Sequence, residues 1–321
     1  MPNQMTPLYQ GCAVGATWQN ETVPRLILGT AQLGMDYGIA NTSGRPDVRR
    51  AVEIIELAWS NGVRYFDTAQ SYGESEGLLG RVLREFGVVG ESLITSKLAA
   101  RLDPEDTAAL EESIERTFGL LGVERLWCML LHNPEWLDVW DRGLGGVLLR
   151  YREAGRIRHL GVSLRSPKDI LRYTSHPVME VYQVACSAWD RRMINLGFLK
   201  EARNSGKLCC VRSIYHQGLM TMSADAVAQR LPIALEASKL WHALAQRRGL
   251  RVQELAVRFA LTLDAPLVVG AETPEQLEDT LQSLQAERLH SEIIEEMAES
   301  LDPILNEVIL EPSRWSEFGN P

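Results

Sequence analysis

The chain repeats one unit: an amphipathic stretch, a glycine, and then a short apolar run that ends in polar residues. Examples are AVEIIELAWSNG before VRYFDTA and GFLKEARNSG before KLCCVRS. The amphipathic part carries apolar residues at helical spacing. Its glycine, as at Gly62, Gly122, Gly155 and Gly206, stands where a helix C-terminus needs a left-handed backbone. Short continuous apolar runs are typical of parallel strands buried on both faces, so the repeat predicts alternating helices and parallel strands.

Counting these apolar runs predicts the fold class. Eight strands that alternate with helices indicate a single-domain α/β protein, a (β/α)8 TIM barrel. The runs lie near 25–29, 64–67, 93–97, 126–131, 157–161, 180–184, 208–212 and 266–270. An open doubly wound sheet is the alternative, but no GxGxxG follows the first run. We expect an N-terminal cap or tail over 1–22, the barrel over 23–321, and an extra C-terminal helix over 291–301.

Three capping residues that precede proline predict where helices begin. They are Asp103 before Pro104, Ser166 before Pro167, and Thr273 before Pro274. A capping side chain followed by proline at the first helical position is typical of a helix N-terminus. Gln276, three residues after Thr273, adds the pattern of a capping box.

Composition and charge exclude several classes of protein. The chain has 321 residues, of which 45% are hydrophobic and 23% are charged, as in ordinary globular proteins. A net charge of −9 argues against a nucleic-acid or anionic-membrane surface. No apolar stretch is long enough to span a membrane, and the N-terminus lacks the pattern of a secretory signal. Five cysteines without a CxxC motif favour a reduced, cytoplasmic protein without a metal site.

Polar residues stand at the carboxyl ends of the predicted strands, where barrel enzymes place their chemistry. Asp67 ends the second strand and Tyr72 follows it, Lys97 ends the third strand, and His132 ends the fourth. A buried lysine favours ionisation of a nearby tyrosine, and an aspartate keeps that lysine charged. A histidine beside them can donate a hydrogen bond to a carbonyl oxygen. This set suits carbonyl reduction, in which a cofactor supplies the hydride and the protein supplies the proton.

At these residues the sequence resembles the aldo-keto reductase superfamily. The resemblance rests on YFDTAQSYGESEGLLGRVL, ITSKL, LLHNP, GVS, YQVACSAWDRR, RSIYHQGLM and GAETPEQLEDTL, which occur in this order between about residues 24 and 285. The first segment is the most specific, because FDTA is followed by Tyr-Gly at a fixed distance and then by Ser-Glu and Leu-Gly.

The resemblance implies a role for each matching residue. Tyr72 would be the general acid in reduction, Lys97 would favour its ionisation, Asp67 would pair with Lys97, and His132 would orient the carbonyl. The implied cofactor residues are Gly29, Thr30, Asp67, Ser163, Gln183, Arg212, Ser213, Gln217, Gly218, Gly270, Glu272, Gln276, Asp279 and Thr280. Ser163 and Gln183 would hold the nicotinamide carboxamide, Gly29 and Thr30 would lie near its ribose, and the segment 270–280 would hold the adenosine end. Candidates for the substrate pocket are Tyr37, Asn133 and Trp189.

Three positions depart from the pattern of the superfamily. Leu164 replaces an asparagine that often follows GVS, and Arg212 replaces an aromatic residue that commonly stacks on the nicotinamide. A guanidinium can stack on a ring or meet a phosphate, so both roles stay open. Glu272 lies where a lysine or arginine usually meets the 2′-phosphate of NADP(H). Glu272 either faces the cofactor, where a carboxylate would favour the free 2′-hydroxyl of NAD(H), or points to solvent. The resemblance to the superfamily itself favours NADP(H) slightly over NAD(H) as the cofactor.

The sequence leaves three functions open. The first is an NAD(P)(H)-dependent oxidoreductase that acts on a small aldehyde, ketone or sugar carbonyl, without nucleic-acid or membrane partners. The second is a nucleotide-binding barrel scaffold or redox-sensing subunit with little turnover, for which Leu164 and Arg212 leave room. The third is a Schiff-base lyase with Lys97 as the nucleophile. The sequence indicates neither the particular substrate nor the oligomeric state.

Overall fold

The computed structural model describes residues 15–318. Its strands are β1 Ala16–Trp18, β2 Glu21–Val23, β3 Leu26–Gly29, β4 Tyr65–Asp67, β5 Leu93–Leu98, β6 Leu126–Leu131, β7 Ile157–Leu164, β8 Val181–Ala185, β9 Leu208–Arg212 and β10 Leu267–Val269. Its α-helices are α1 Ala31–Gly34, α2 Val48–Ser60, α3 Ser75–Glu85, α4 Thr107–Leu121, α5 Leu144–Glu153, α6 Pro167–Tyr173, α7 Arg192–Asn195, α8 Phe198–Asn204, α9 Ala224–Arg230, α10 Leu235–Arg247, α11 Val252–Ala260, α12 Pro274–Ser283, α13 Ser291–Leu301 and α14 Glu307–Leu310. Short 3-10 helices cover Val89–Glu91, Pro134–Arg142, Leu219–Thr221, Pro232–Ala234, Leu261–Leu263 and Pro312–Glu317.

Eight parallel strands close into a barrel in the order β10-β3-β4-β5-β6-β7-β8-β9. The predicted (β/α)8 barrel is therefore confirmed, and each predicted run overlaps one barrel strand. The largest difference is in β7, which continues to Leu164. All described helices are too short or too polar to cross a membrane.

Local sequence signals explain most of the helix boundaries. Ser166 forms a capping box with Asp169, and the Thr273 hydroxyl accepts from the backbone N–H of Gln276. The prediction of a helix after Asp103 is wrong. The Asp103 carboxylate instead accepts from the N–H of Glu105 in a turn, and α4 begins later, at Thr107.

An N-terminal hairpin covers the amino-terminal end of the barrel. Strands β1 and β2 pair antiparallel, and the Trp18 ring contacts Trp127 and His159 with centroid separations of 6.4 and 4.7 Å. The Glu21 carboxylate accepts from Trp127 Nε1 at 3.0 Å. Trp18 and Glu21 of the predicted cap or tail thus pack against the barrel, and residues 1–14 lie outside the described part.

The C-terminal segment returns to the opposite end of the barrel. Helix α13 coincides with the predicted extra helix. The chain then continues through α14 and a 3-10 helix, where the carbonyl oxygen of Ile309 accepts from Trp315 Nε1 at 3.1 Å and lies 2.8 Å from His216 Nε2. His216 belongs to the loop after β9, so the C-terminal segment holds that loop in place.

Candidate active site

One open groove follows the carboxyl ends of the barrel strands and has an empty volume of about 1140 Å³. Its lining contains almost every residue predicted to bind the cofactor: Gly29, Thr30, Asp67, Gln183, Arg212, Ser213, Gln217, Gly218, Gly270, Glu272, Gln276, Asp279 and Thr280. Tyr72 and Tyr37 line it as well. The groove therefore connects the predicted catalytic residues with the predicted adenosine end.

A buried ion pair lies at the base of the groove. Lys97 Nζ is 2.5 Å from Asp67 Oδ1 and donates to the carbonyl oxygen of Thr68 at 2.8 Å. The lysine is completely buried and the aspartate is 3% exposed. Burial alone lowers the pKa of the Lys97 ammonium, but Asp67 and Tyr72 outweigh it, so the pKa is raised above its usual value. Lys97 is therefore a cation at every physiological pH.

Tyr72 lies beside this cation. Lys97 Nζ is 4.8 Å from the centroid of the Tyr72 ring. The turn that carries Tyr72 depends on two glycines, because a Cβ at Gly34 would lie 1.8 Å from the Tyr72 carbonyl oxygen and Gly73 has a left-handed φ of +56°. The left-handed backbone at Gly73 explains why glycine follows the tyrosine in the motif.

His132 completes the catalytic cluster as a neutral group. Its ring centroid is 5.9 Å from that of Tyr72, and its Nδ1 shares a hydrogen bond of 3.1 Å with Ser71 Oγ. Burial lowers the pKa of His132 to about 3, with further lowering by Lys97, Arg165 and Arg212. Asp67, Tyr72, Lys97 and His132, which come from separate segments of the sequence, thus lie together as the convergence of strand ends predicts.

A hydroxyl network behind Asp67 was not predicted. The Thr30 hydroxyl donates to the Asp67 carbonyl oxygen at 3.0 Å, and Ser75 Oγ lies 2.6 Å from Thr30 Oγ1 and 3.0 Å from Thr68 Oγ1. Thr30 therefore uses its hydroxyl to position the end of β4, although it also lines the groove. Ser75 belongs to the segment YFDTAQSYGESEGLLGRVL on which the family resemblance rests, so the sequence contained a signal for this network.

Gln183 joins the ion pair to the groove. Its Nε2 donates to Asp67 Oδ2 at 2.7 Å. Its Oε1 is buried and has no hydrogen-bond partner among the described residues. An unpaired buried acceptor is costly, so this oxygen is suited to accept from a bound ligand's N–H. A carboxamide would supply that donor, so the residues present fit a nicotinamide at this end of the groove.

The opposite end of the groove carries carboxylates. Glu272 lines it, and its backbone N–H donates to Gln276 Oε1 at 2.7 Å. In the predicted capping box the Gln276 side chain would accept from the backbone N–H of Thr273. In the structure it accepts from the preceding residue, Glu272. Asp279 pairs with Arg251 at 2.6 Å, and Thr280 shares a hydrogen bond of 2.9 Å with Tyr215. Burial raises the pKa of the Glu272 carboxyl, and the Gln276 hydrogen bond opposes this shift.

Five predicted site residues lie outside the groove lining: Lys97 and His132, which are described above, and Ser163, Asn133 and Trp189. Ser163 is buried on β7 in register with Gln183. The Asn133 side chain accepts from the backbone N–H of Glu135 and caps a 3-10 helix. Trp189 is 1% exposed and packs 6.3 Å from the His216 ring. Asn133 thus caps a helix and Trp189 packs in the interior, and the groove lining gives no support for either as a substrate residue.

Comparisons with known proteins agree with this fold. The sequence model of the Aldo/keto reductase family matches residues 25–302. Pyridoxal reductase of Arabidopsis thaliana is 26% identical over 72% of this chain and 71% of its own length. D-threo-aldose 1-dehydrogenase of a Pseudomonas species is 25% identical over 78% of this chain and 88% of its own length. The holo form of an aldo-keto reductase from Bacillus halodurans superposes with a TM-score of 0.71 at 20% identity, over 92% and 96% of the two chains.

The barrel and the family match define a (β/α)8-barrel oxidoreductase. The chain belongs to the aldo/keto reductase family. The superposed structure supports the fold alone.

The neutrality of His132 can be tested by NMR. We expect the His132 imidazole signal, assigned by its loss in His132→Asn, to keep a constant chemical shift between about pH 5 and 8, because the pKa of His132 is lowered to about 3. The measurement is a pH titration of ¹⁵N-histidine-labelled protein. A His132 midpoint near the ordinary value of about 6.5 would show that the site accepts an imidazolium.

Proposed function

We propose that this protein is an NAD(P)(H)-dependent oxidoreductase that reduces the carbonyl of an aldehyde, ketone or sugar to an alcohol, or catalyses the reverse reaction. The observation that carries the proposal is the buried Lys97–Asp67 pair beside Tyr72, with the unpartnered Gln183 Oε1 in the same groove. Tyr72, the proposed proton donor, and Gln183, which would accept from a carboxamide, thus line the same groove. When bound, the nicotinamide cofactor supplies the hydride.

Tyr72 is the proposed proton donor. A carbonyl oxygen that accepts from the Tyr72 hydroxyl takes the proton as negative charge develops on it. The Lys97 ammonium, 4.8 Å from the centroid of the Tyr72 ring, stabilises the phenolate that remains. Asp67 holds Lys97 in position, and neutral His132 donates a hydrogen bond to the same carbonyl without adding a positive charge. The reverse reaction uses the same groups as proton acceptors.

We propose NAD(H) as the preferred cofactor, although the family resemblance alone favours NADP(H). Glu272 and Asp279 line the far end of the groove, and Arg212 at the catalytic end is the only cation in the lining formed by the described residues. A carboxylate repels a 2′-phosphate and can accept from a 2′-hydroxyl. Arg251 is close to this end, but it is already paired with Asp279.

A small-molecule carbonyl or sugar fits the open groove, and relatives named for pyridoxal, glyoxal and aldoses suggest the compounds to screen. The scaffold alternative is supported only by the departures at Leu164 and Arg212, while the complete catalytic cluster supports turnover. A Schiff-base role for Lys97 is disfavoured, because its amine is completely buried and bound to Asp67 and Thr68.

Replacing the proposed proton donor tests the reaction. Tyr72→Phe should lower kcat with an aldose, pyridoxal or glyoxal by about 10²–10⁴-fold, because it removes the proton donor. The dissociation constant of the reduced cofactor should stay within about twofold. Steady-state assays and fluorescence titration give both values. The matched control is Tyr151→Phe, because Tyr151 lies on the outer helix α5 and its hydroxyl donates a hydrogen bond to Glu115. Full turnover in Tyr72→Phe would remove Tyr72 from the mechanism.

Replacing Glu272 tests the choice of cofactor. The unmodified protein should bind NADH about five- to tenfold more tightly than NADPH, and Glu272→Gln should reduce this ratio by tightening NADPH binding. Fluorescence titration with both cofactors measures the ratio. Glu275→Gln, at a fully exposed position on α12 outside the groove lining, is the matched control. Tighter binding of NADPH by the unmodified protein would contradict the assignment.

A further inference from the structure

Arg212 carries an uncompensated positive charge at the catalytic end of the groove. The residue ends β9 and is half-buried. Its Nη1 donates to Ser213 Oγ at 3.2 Å and its Nη2 donates to the Leu164 carbonyl oxygen at 3.4 Å. No carboxylate in the described part of the chain forms an ion pair with it, and the nearby Asp67 is already paired with Lys97. The guanidinium is therefore held by neutral groups.

The strand register places this charge next to the proposed carboxamide position. Arg212 pairs with Ala185, and Gln183 pairs with Cys210, so Arg212 lies two residues further toward the groove on the neighbouring strand. Residues two apart on a strand face the same side and are separated by about 6.6 Å. Gln183 and Arg212 therefore face the same side of the sheet and both line the groove, so a nicotinamide whose carboxamide meets Gln183 Oε1 would lie at the same end of the groove as the guanidinium.

The other groups at this end do not cancel the charge. Lys97 and Asp67 form a neutral pair, and His132 is neutral. Tyr37 and Tyr72 also line this end, and burial raises the pKa of the Tyr37 phenol, with Arg212 opposing that shift. Arg212 also contributes to the lowered pKa of His132. Arg165, whose Nη2 donates to the His132 carbonyl oxygen at 2.8 Å, is a second cation near this end, so the catalytic end of the groove carries a net positive charge.

We propose that Arg212 makes the groove select the redox state of its cofactor, so that the reduced, uncharged nicotinamide binds more tightly than the oxidised ring cation. This inference rests on the proposed function. The two forms share their phosphates, riboses and adenine, and the oxidised form carries one additional positive charge on the ring. A group that binds a phosphate therefore affects both forms alike, whereas a cation beside the ring weakens only the oxidised form.

This selection has a consequence for the reaction. When both forms compete at equal concentration, a tenfold difference in dissociation constant leaves about nine of ten bound cofactors reduced. The groove is then loaded mainly with the hydride donor. Arg212 thereby favours carbonyl reduction over alcohol oxidation in a mixture of the two forms, without contacting the carbonyl itself.

The test measures binding and needs no turnover. Dissociation constants for NADH, NAD⁺, NADPH and NADP⁺ are determined by titration calorimetry with the unmodified protein, Arg212→Gln and Arg212→Lys. Arg203→Gln is the matched control, since Arg203 lies near the end of α8 and pairs with Asp264 away from the groove. Circular dichroism establishes that each variant is folded.

We expect the oxidised form to bind about tenfold more weakly than the reduced form in the unmodified protein, in Arg212→Lys and in Arg203→Gln. In Arg212→Gln the ratio should fall to about twofold or less, because binding of the oxidised form tightens. An equal loss of affinity for both forms in Arg212→Gln would show a phosphate contact and overturn the proposal, as would an unchanged ratio. Failure of the unmodified protein to bind any of the four dinucleotides would instead overturn the proposed function.

Discussion

The buried ion pair between Lys97 and Asp67 is the interaction on which the site depends. Two charges removed from water are stable together only when each has further partners. Lys97 finds its second partner in the Thr68 carbonyl, and Asp67 finds its second partner in the Gln183 amide. Removing either charge would leave the other buried and unpaired, at a cost of about 3–5 kcal/mol. The pair therefore fixes Tyr72 beside a cation and holds Gln183 in the lining of the groove.

Charge is distributed unevenly along the groove, although the whole chain carries a net charge of −9. The catalytic end holds the cation Arg212, and the far end holds the carboxylate Glu272 beside the ion pair between Asp279 and Arg251. The two ends act on different parts of a dinucleotide, because the nicotinamide ring and the adenosine ribose lie at its opposite ends. In the proposed function, one groove would thus select both the redox state of the ring and the substituent on the distant ribose.

The sequence predicts the barrel and the placement of the catalytic cluster well, because both follow from short local patterns repeated in a fixed order. It predicts the partners of individual polar atoms less well. Asn133 was expected in the substrate pocket but caps a 3-10 helix, and Thr30 was expected near the ribose but also supports Asp67. The hydrogen bond that the Gln183 side-chain amide donates to Asp67 joins residues 116 positions apart. Such contacts depend on tertiary geometry, which neither periodicity nor spacing specifies.

The most direct test of the account follows the hydride itself. The protein is incubated with a small-molecule carbonyl and, in separate reactions, with NADH or NADPH deuterated at the pro-R or at the pro-S position of nicotinamide C4, and the product is examined by mass spectrometry and NMR. We expect one deuterium on the carbinol carbon for each cofactor oxidised with one of the two labelled cofactors and none with the other, with no exchange into water. Cofactor oxidation that leaves the carbinol carbon unlabelled with both labelled cofactors, or no oxidation with any aldose, pyridoxal or glyoxal, would contradict hydride transfer to the carbonyl.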